Sequence, residues 1–285
     1  MKDPHVSAVA AAPTRSAPRR GRRRLSGLRV LVTGASSGVG AALARALAAR
    51  GARVLATARR AERLAALAAE RAATPILWEA GDLTDAGFRA RLVEAAAARL
   101  GGLDVVVAAA GCGAIGRFDA AAAATLDRVM DVDFRAPVEL VRLCLPLLRA
   151  GADPAVVLVG SILGRYPLPL HGEYCAAKAA LASFAGSLRV ELAADRVDVM
   201  LVSLGPTESE FWEGLVAGRR PAWSQGQRMP TARAAAAIVS GLEHRARELL
   251  PGWQAKGYAL LARLCPAMID ALVARRLRAH EEGDA

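Results

Sequence analysis

A chain of 285 residues with no composition break in its middle is long enough for one large domain with a sizeable core. Its hydrophobic share of 54% is inflated by alanine, which favours helix more than it drives burial, and is not a membrane signature. The net charge of +11 is uneven: seven cations against Asp3 place +6 in residues 1–24 and leave +5 for the rest. That Ala-, Pro- and Ser-rich stretch is expected to be a basic disordered tail over residues 1–26. Arg19-Arg20-Gly21-Arg22-Arg23-Arg24 reads as solubilising. Contact with anionic lipid or nucleic acid is the weaker reading, because no aromatic residues interleave with the arginines. A secretory signal is not expected, since the apolar run that follows is needed for the fold.

Leu28-Arg29-Val30-Leu31-Val32 reads as a buried parallel strand. Thr33-Gly34-Ala35-Ser36-Ser37-Gly38-Val39-Gly40 follows, then an Ala- and Leu-rich helix from Ala41. Strand, glycine turn and helix form a context that binds phosphate. Gly34 permits the tight turn, Gly38 lets the backbone approach a pyrophosphate, and Gly40 lets helix pack on strand. A second strand, 52–57, leads into Ala58-Arg59-Arg60, with no carboxylate where a ribose 2′-hydroxyl is usually recognised. Arg59 there suits a 2′-phosphate, helped by the Ser36 and Ser37 hydroxyls; Arg60 reads as the start of a solvated helix.

Further strands are expected over 75–80, 103–109, 154–160 and 197–203, separated by helical stretches that include 122–150 and 173–194. This alternation predicts an α/β fold with a doubly wound parallel sheet, a Rossmann fold, in a single domain. Ser161 closes the fifth strand, and Tyr174 and Lys178 lie four apart on one helix face. There the ammonium is expected to pull the phenol down from about 10, while Ser161 hydrogen-bonds a substrate oxygen. Cys112, Cys144, Cys175 and Cys265 show no Cys-x-x-Cys spacing and read as small hydrophobes in a reducing compartment. The four histidines do not cluster, so no metal is expected; His171 reads as facing solvent, or else as reaching substrate. The last stretch, 251–285, is apolar with Arg punctuation, and Pro266 should break or kink its helix. It is expected to pack on the body, cover the cleft, join an oligomer interface or lie on a membrane surface.

Thr33-Gly34-x-x-x-Gly38-x-Gly40, the pair Asp82-Leu83, and Ser161, Tyr174 and Lys178 together resemble the short-chain dehydrogenase/reductase family over roughly residues 27–250. The resemblance implies an NADP(H)-dependent oxidoreductase that interconverts a carbonyl and an alcohol. Ser161 would orient substrate, Tyr174 would move the proton, and Lys178 would bind the nicotinamide ribose. It further implies cofactor contacts from Asp82, Leu83, Ala109, Gly111, Tyr174, Lys178, Gly205 and Ser209. Two segments depart from the family pattern: Ala108-Ala109-Ala110-Gly111 replaces Asn-Asn-Ala-Gly, and Asp133 stands in place of the fourth catalytic residue, Asn. The family's Asn works through its backbone carbonyl, which Asp133 can keep. The Asp133 carboxylate favours a charged Lys178, which opposes the lowering of Tyr174.

Cys112, Gly113, Leu163, Pro167, Leu168, Phe211, Trp212 and Trp223 form expected apolar pocket walls, and 206–228 a mobile lid. The substrate expectation is a lipophilic ketone, aldehyde or secondary alcohol. The resemblance also implies a homodimer or tetramer through helices 122–150 and 173–194, whose apolar residues are otherwise expected to be core; the expected location is cytoplasmic, or else peripheral at a membrane. The alternative is a non-catalytic NADPH-binding sensor or interaction protein of the same fold.

Overall fold

The computed structural model describes residues 21–219 and 228–283. Trp223 and residues 1–20, with Arg19 and Arg20, lie outside them. Nine strands alternate with helices in the described chain. In order they are β1 (Arg29–Thr33), α1 (Gly38–Ala48), β2 (Arg53–Ala58), α2 (Ala61–Ala69), β3 (Ile76–Ala80) and α3 (Ala86–Leu100). There follow β4 (Val105–Ala108), β5 (Gly113–Ala114), α4 (Ala123–Met130), α5 (Ala136–Arg149), β6 (Ala155–Ser161), α6 (Gly172–Glu191) and β7 (Asp198–Leu204). The chain ends through β8 (Leu215–Ala217), α7 (Thr231–Glu243), β9 (Glu248–Leu249), α8 (Trp253–Leu264) and α9 (Pro266–Gly283).

Seven strands form one parallel sheet in the order β3-β2-β1-β4-β6-β7-β9. The six strands read from sequence all appear within two residues of their expected ends. The seventh, β9, has two residues and therefore no period to detect. Alternation along each strand sends side chains to opposite faces. Val30 and Val32 pack with Leu43 and Leu47 of α1 and with Ile238 and Val239 of α7. Leu31 points the other way, into Leu92 of α3, Leu140 and Leu148 of α5, and Leu181 and Leu188 of α6. Both faces are thus covered, which is why the strands read as unbroken apolar runs.

The expected helix over 122–150 is divided. Between α4 and α5 the five residues Asp131–Arg135 form a π turn, in which the Ala136 N–H bonds the Asp131 carbonyl. Such turns mark places where a helix is re-aimed, and this one carries Asp133. Of the leucines in this helix and in α6, Leu140, Leu181 and Leu188 are core, whereas Leu143 is exposed.

The folded body begins earlier than the expected tail boundary. Arg23 is buried, pairing with Asp198 at 2.6 Å and Asp153 at 3.3 Å, while its backbone N–H donates to the Glu243 carbonyl. Leu25 is also buried. Residues 21–26 are therefore a strap rather than a tail, because a guanidinium between two carboxylates can be buried where a lone one cannot. Arg23→Ala is expected to cost about 2–3 kcal/mol, since it removes the buried guanidinium that bridges Asp153 and Asp198. A thermal melt checks this, at roughly 2–4 °C per kcal/mol for a chain of this class; an unchanged melting point would show the strap to be ornamental.

Pro266 opens α9 at a bend of 114° from α8. No single described helix is long and apolar enough to cross a membrane. The hairpin packs inward through Ala255, Ile269 and the edge contact of Tyr258 with Tyr166, and leaves Leu260, Leu264, Met268 and Leu272 exposed.

Candidate active site

The sheet order reverses between β1 and β4, and the ends of these two strands diverge into a crevice, the usual ligand position in a doubly wound sheet. A cavity of about 990 Å³ opens there. Its lining includes Gly34, Ser36, Ser37, Gly38, Val39 and Gly40 of the glycine loop, with Arg59, Asp82, Leu83, Ala109, Gly111, Asp133, Ser161, Tyr174, Lys178, Gly205 and Ser209.

The glycine loop requires its glycines. Gly34 has φ +68°, and a Cβ there would lie 2.8 Å from the Ala110 Cα. A Cβ on Gly40 would lie 2.3 Å from the Gly34 carbonyl oxygen. Between them the loop leads into the N-terminus of α1, whose first turn carries no acidic residue. Unpaired N–H groups at such an end favour an anion, so the cradle fits a dinucleotide pyrophosphate. The Ala109 and Ala110 N–H groups both donate to Thr33 Oγ1, at 3.0 and 3.1 Å. That threonine hydroxyl ties β1 to the end of β4. The Asp82 carboxylate accepts from Thr84 and Arg128, which together hold it below the usual carboxylate range against its burial.

Arg59 is exposed and lines the cavity as expected, but Arg60 does not simply open a solvated helix. Its Nη2 donates to Ser36 Oγ at 3.0 Å and Ser37 Oγ at 2.8 Å, and its Nη1 pairs with Glu210 at 2.9 Å. The residue is extended ahead of α2, so its side chain swings back over the glycine loop. Nothing in the local sequence brings Glu210 to it, 150 residues away.

At the far end, Tyr174 and Lys178 on α6 face Ser161 at the end of β6, with the Lys178 Nζ 5.7 Å from the Tyr174 ring centre. Asp133 is fully buried, its Oδ1 2.7 Å from Lys178 Nζ. Its Oδ2 accepts from the Cys112 N–H at 3.1 Å. Lys178 also donates to the Val159 carbonyl at 3.3 Å. Burial acts to lower the lysine, but Asp133 and Tyr174 outweigh it and raise it, so the ammonium is held charged. Burial raises Tyr174; Lys178 pulls it back, Asp133 pushes it up, and a hydrogen bond with Ser161 pulls it down. The net shift is upward, contrary to the expected lowering by Lys178. That expectation weighed one neighbour, and burial is the larger effect. Burial and Asp133 also push the Cys112 thiol up to about 12, which leaves it an inert wall.

Cys112, Leu163, Leu168, Phe211 and Trp212 wall the cavity as expected, while Pro167 does not line it. Gly113 lies beneath Phe211, whose ring a Cβ there would strike at 2.4 Å. Phe211 meets the Tyr174 ring edge-on at 5.3 Å. Its loop is pinned by β8, which pairs in parallel with β5, and by a bridge from Thr207 to Met229. His171 is buried and lines the cavity instead of facing solvent; its Nδ1 donates to the Pro169 carbonyl, and burial lowers its pKa. No metal-holding group of three His, Cys, Asp or Glu side chains occurs among the described residues.

A family model described as short chain dehydrogenase matches residues 29–220. An uncharacterized oxidoreductase, YxnA, of Bacillus subtilis is 30% identical over 251 residues, covering 86% of this chain and 70% of that protein. 11-beta-hydroxysteroid dehydrogenase 1A of Arabidopsis thaliana is 33% identical over 262 residues, covering 86% of this chain and 74% of its own. The crystal structure of a short-chain dehydrogenase from Streptomyces avermitilis superposes with a TM-score of 0.74 at 29% identity, over 90% of this chain and 98% of that one. A nucleotide crevice at the strand reversal and an acid–base group at its end therefore sit in a fold shared with the Streptomyces avermitilis structure over most of both chains, and the chain belongs to the short-chain dehydrogenase family, whose members act on the alcohol/carbonyl couple with a nicotinamide dinucleotide.

Proposed function

We propose that this chain is an NADP(H)-dependent oxidoreductase interconverting a lipophilic ketone or aldehyde with its alcohol. The observation that carries the cofactor reading is the guanidinium of Arg60 on the Ser36 and Ser37 hydroxyls, beside Arg59 and with no acidic residue at the end of β2. Two guanidinium groups and two hydroxyls match a phosphate dianion, and the end of β2 itself supplies no carboxylate for a bare 2′-hydroxyl. When bound, the nicotinamide supplies or accepts the hydride at the substrate carbon. Ser161 orients the substrate oxygen and Tyr174 transfers the proton to or from it. Lys178 sets the field at the phenol and would hold the nicotinamide ribose. The raised Tyr174 keeps its proton at neutral pH, the form that protonates a carbonyl oxygen. Leu163, Leu168, Phe211 and Trp212 exclude water and favour an apolar substrate, as does the resemblance to a protein named for a hydroxysteroid.

The test is a fluorescence titration of NADPH against NADH on the wild type, Arg59→Ala and Arg60→Ala. Tighter NADPH binding is expected in the wild type, with each variant losing about tenfold for NADPH, roughly 1.4 kcal/mol, and little for NADH. Equal affinities in the wild type would overturn the NADP(H) reading.

The ion pair of Asp133 with Lys178 supports the second reading, a non-catalytic NADPH sensor of the same fold. Turnover of any apolar ketone separates the two. Exposed Leu126, Leu143 and Val190 on α4, α5 and α6 support a homodimer or tetramer, and exposed Leu260, Leu264 and Met268 support a weak membrane-surface contact of 251–285. The free cysteines suit a cytoplasmic location.

A further inference from the structure

Glu210 lies in the loop after β7, far from the glycine loop in sequence, yet its carboxylate sits among the cations of the nucleotide end of the crevice. Arg60 Nη1 reaches its Oε2 at 2.9 Å, and Arg63 Nη1 pairs with both of its oxygens. These two hydrogen-bonded guanidinium groups hold the carboxylate below its usual range, Arg63 being the larger influence. The neighbouring Ser209 is equally close to the loop, its Cβ 3.1 Å from where a Cβ on Gly38 would stand. The same Arg60 spends its Nε and Nη2 on Ser36 and Ser37. One guanidinium therefore joins the hydroxyls that suit a phosphate to a carboxylate that repels one.

We infer that Glu210 is a specificity-determining residue for the cofactor: its carboxylate is the internal counter-anion at the 2′-phosphate seat, and it must leave Arg60 for a 2′-phosphorylated dinucleotide to bind. This rests on the NADP(H) reading of the same site. A phosphate bonded to Ser36, Ser37 and Arg60 would lie within a few ångströms of the carboxylate, where like charges oppose each other. A dinucleotide with a free 2′-hydroxyl brings no such charge, so the carboxylate taxes NADPH and spares NADH. The pair is partly exposed, so its rupture is affordable and the tax is moderate. Glu210 opens the short turn Glu210–Trp212, so the residue that yields to the phosphate is next in the chain to Phe211 on the Tyr174 ring.

The experiment titrates NADPH and NADH into the full-length wild type, Glu210→Gln and Glu210→Ala, at low and physiological salt. Both substitutions are at a half-exposed side chain, and circular dichroism checks that the fold is kept. NADPH is expected to tighten about five- to tenfold in both variants, with NADH changed less than twofold and the gain shrinking as salt rises. An unchanged NADPH-to-NADH ratio in a wild type that prefers NADPH would overturn the inference and leave the cofactor reading standing. A wild type without preference, converted to one by Glu210→Gln, would uphold Glu210 as the mask and sink the cofactor reading. If neither wild type nor variants distinguish the two nucleotides, both fall. Weaker NADH binding in Glu210→Gln would also overturn the inference, because the carboxylate would then be holding the 2′-hydroxyl.

Discussion

Tyr174→Phe is expected to lower kcat/KM by about 10³-fold while leaving NADPH affinity within about twofold of the wild type, as contributions of general acid–base groups run. The ring itself is kept, and with it the edge contact to Phe211 at 5.3 Å. Only the hydroxyl and its hydrogen bond with Ser161 are lost, a change worth about 1 kcal/mol to the fold. Gly34, Gly38 and Gly40 do not touch that hydroxyl, so the dinucleotide keeps its cradle. Steady-state ketone reduction and NADPH titration on the same preparation check the split. Turnover near the wild-type rate would remove Tyr174 from the role of acid. Loss of NADPH binding would mean that the phenol, too, holds the cofactor.

Lys178→Met is the second large effect, and it is expected to cost stability as well as activity. It strands the carboxylate of Asp133, which has no exposure and, among the described residues, would keep only the Cys112 N–H and thiol. Removing one partner of a buried ion pair costs about 3–5 kcal/mol. A fall in melting temperature of roughly 10 °C is expected. Lys178→Met/Asp133→Asn should recover most of that stability and none of the activity, which separates the structural from the catalytic role. A Lys178→Met protein as stable as the wild type would show the pair to be worth nothing to the fold.

Asp133→Asn alone acts on the other side of the same triangle. The Asp133 charge is one of the influences raising Tyr174, so its removal lowers the phenol. The phenolate then forms at lower pH, and the rise of alcohol oxidation with pH should move to lower pH. A shift the other way would mean that the loss of Asp133 discharges Lys178 first.

Much of this was legible because the relevant signals are local. The glycine loop, the Tyr-x-x-x-Lys spacing and the six long strands each announce themselves within a few residues. Every site residue read from them lines the cavity. What escaped was set by distant parts of the chain. Arg60 reads as helix surface until Glu210 and the two serines are brought beside it. Arg23 reads as one more tail arginine until Asp153 and Asp198 surround it. Tyr174 reads as activated by its lysine until burial is counted. β9 is stabilised by its neighbour β7 and leaves no pattern of its own.

The strap at the start of the fold has a kinetic consequence. Arg23 closes on the carbonyls of Leu242 and Glu243, more than 200 residues later, and on Asp198 at the head of β7. During synthesis its partners at the end of α7 emerge only after nearly the whole sheet, whereas β1 must already pair with β2 and then β4. Contacts of such long sequence separation form late and slowly. An amino-terminal half released early would therefore hold its first strands in place with the strap undocked and the sheet edge at β4 open, a state prone to pairing with other chains. On this geometry, the capture of one of the first residues is expected to come late in folding.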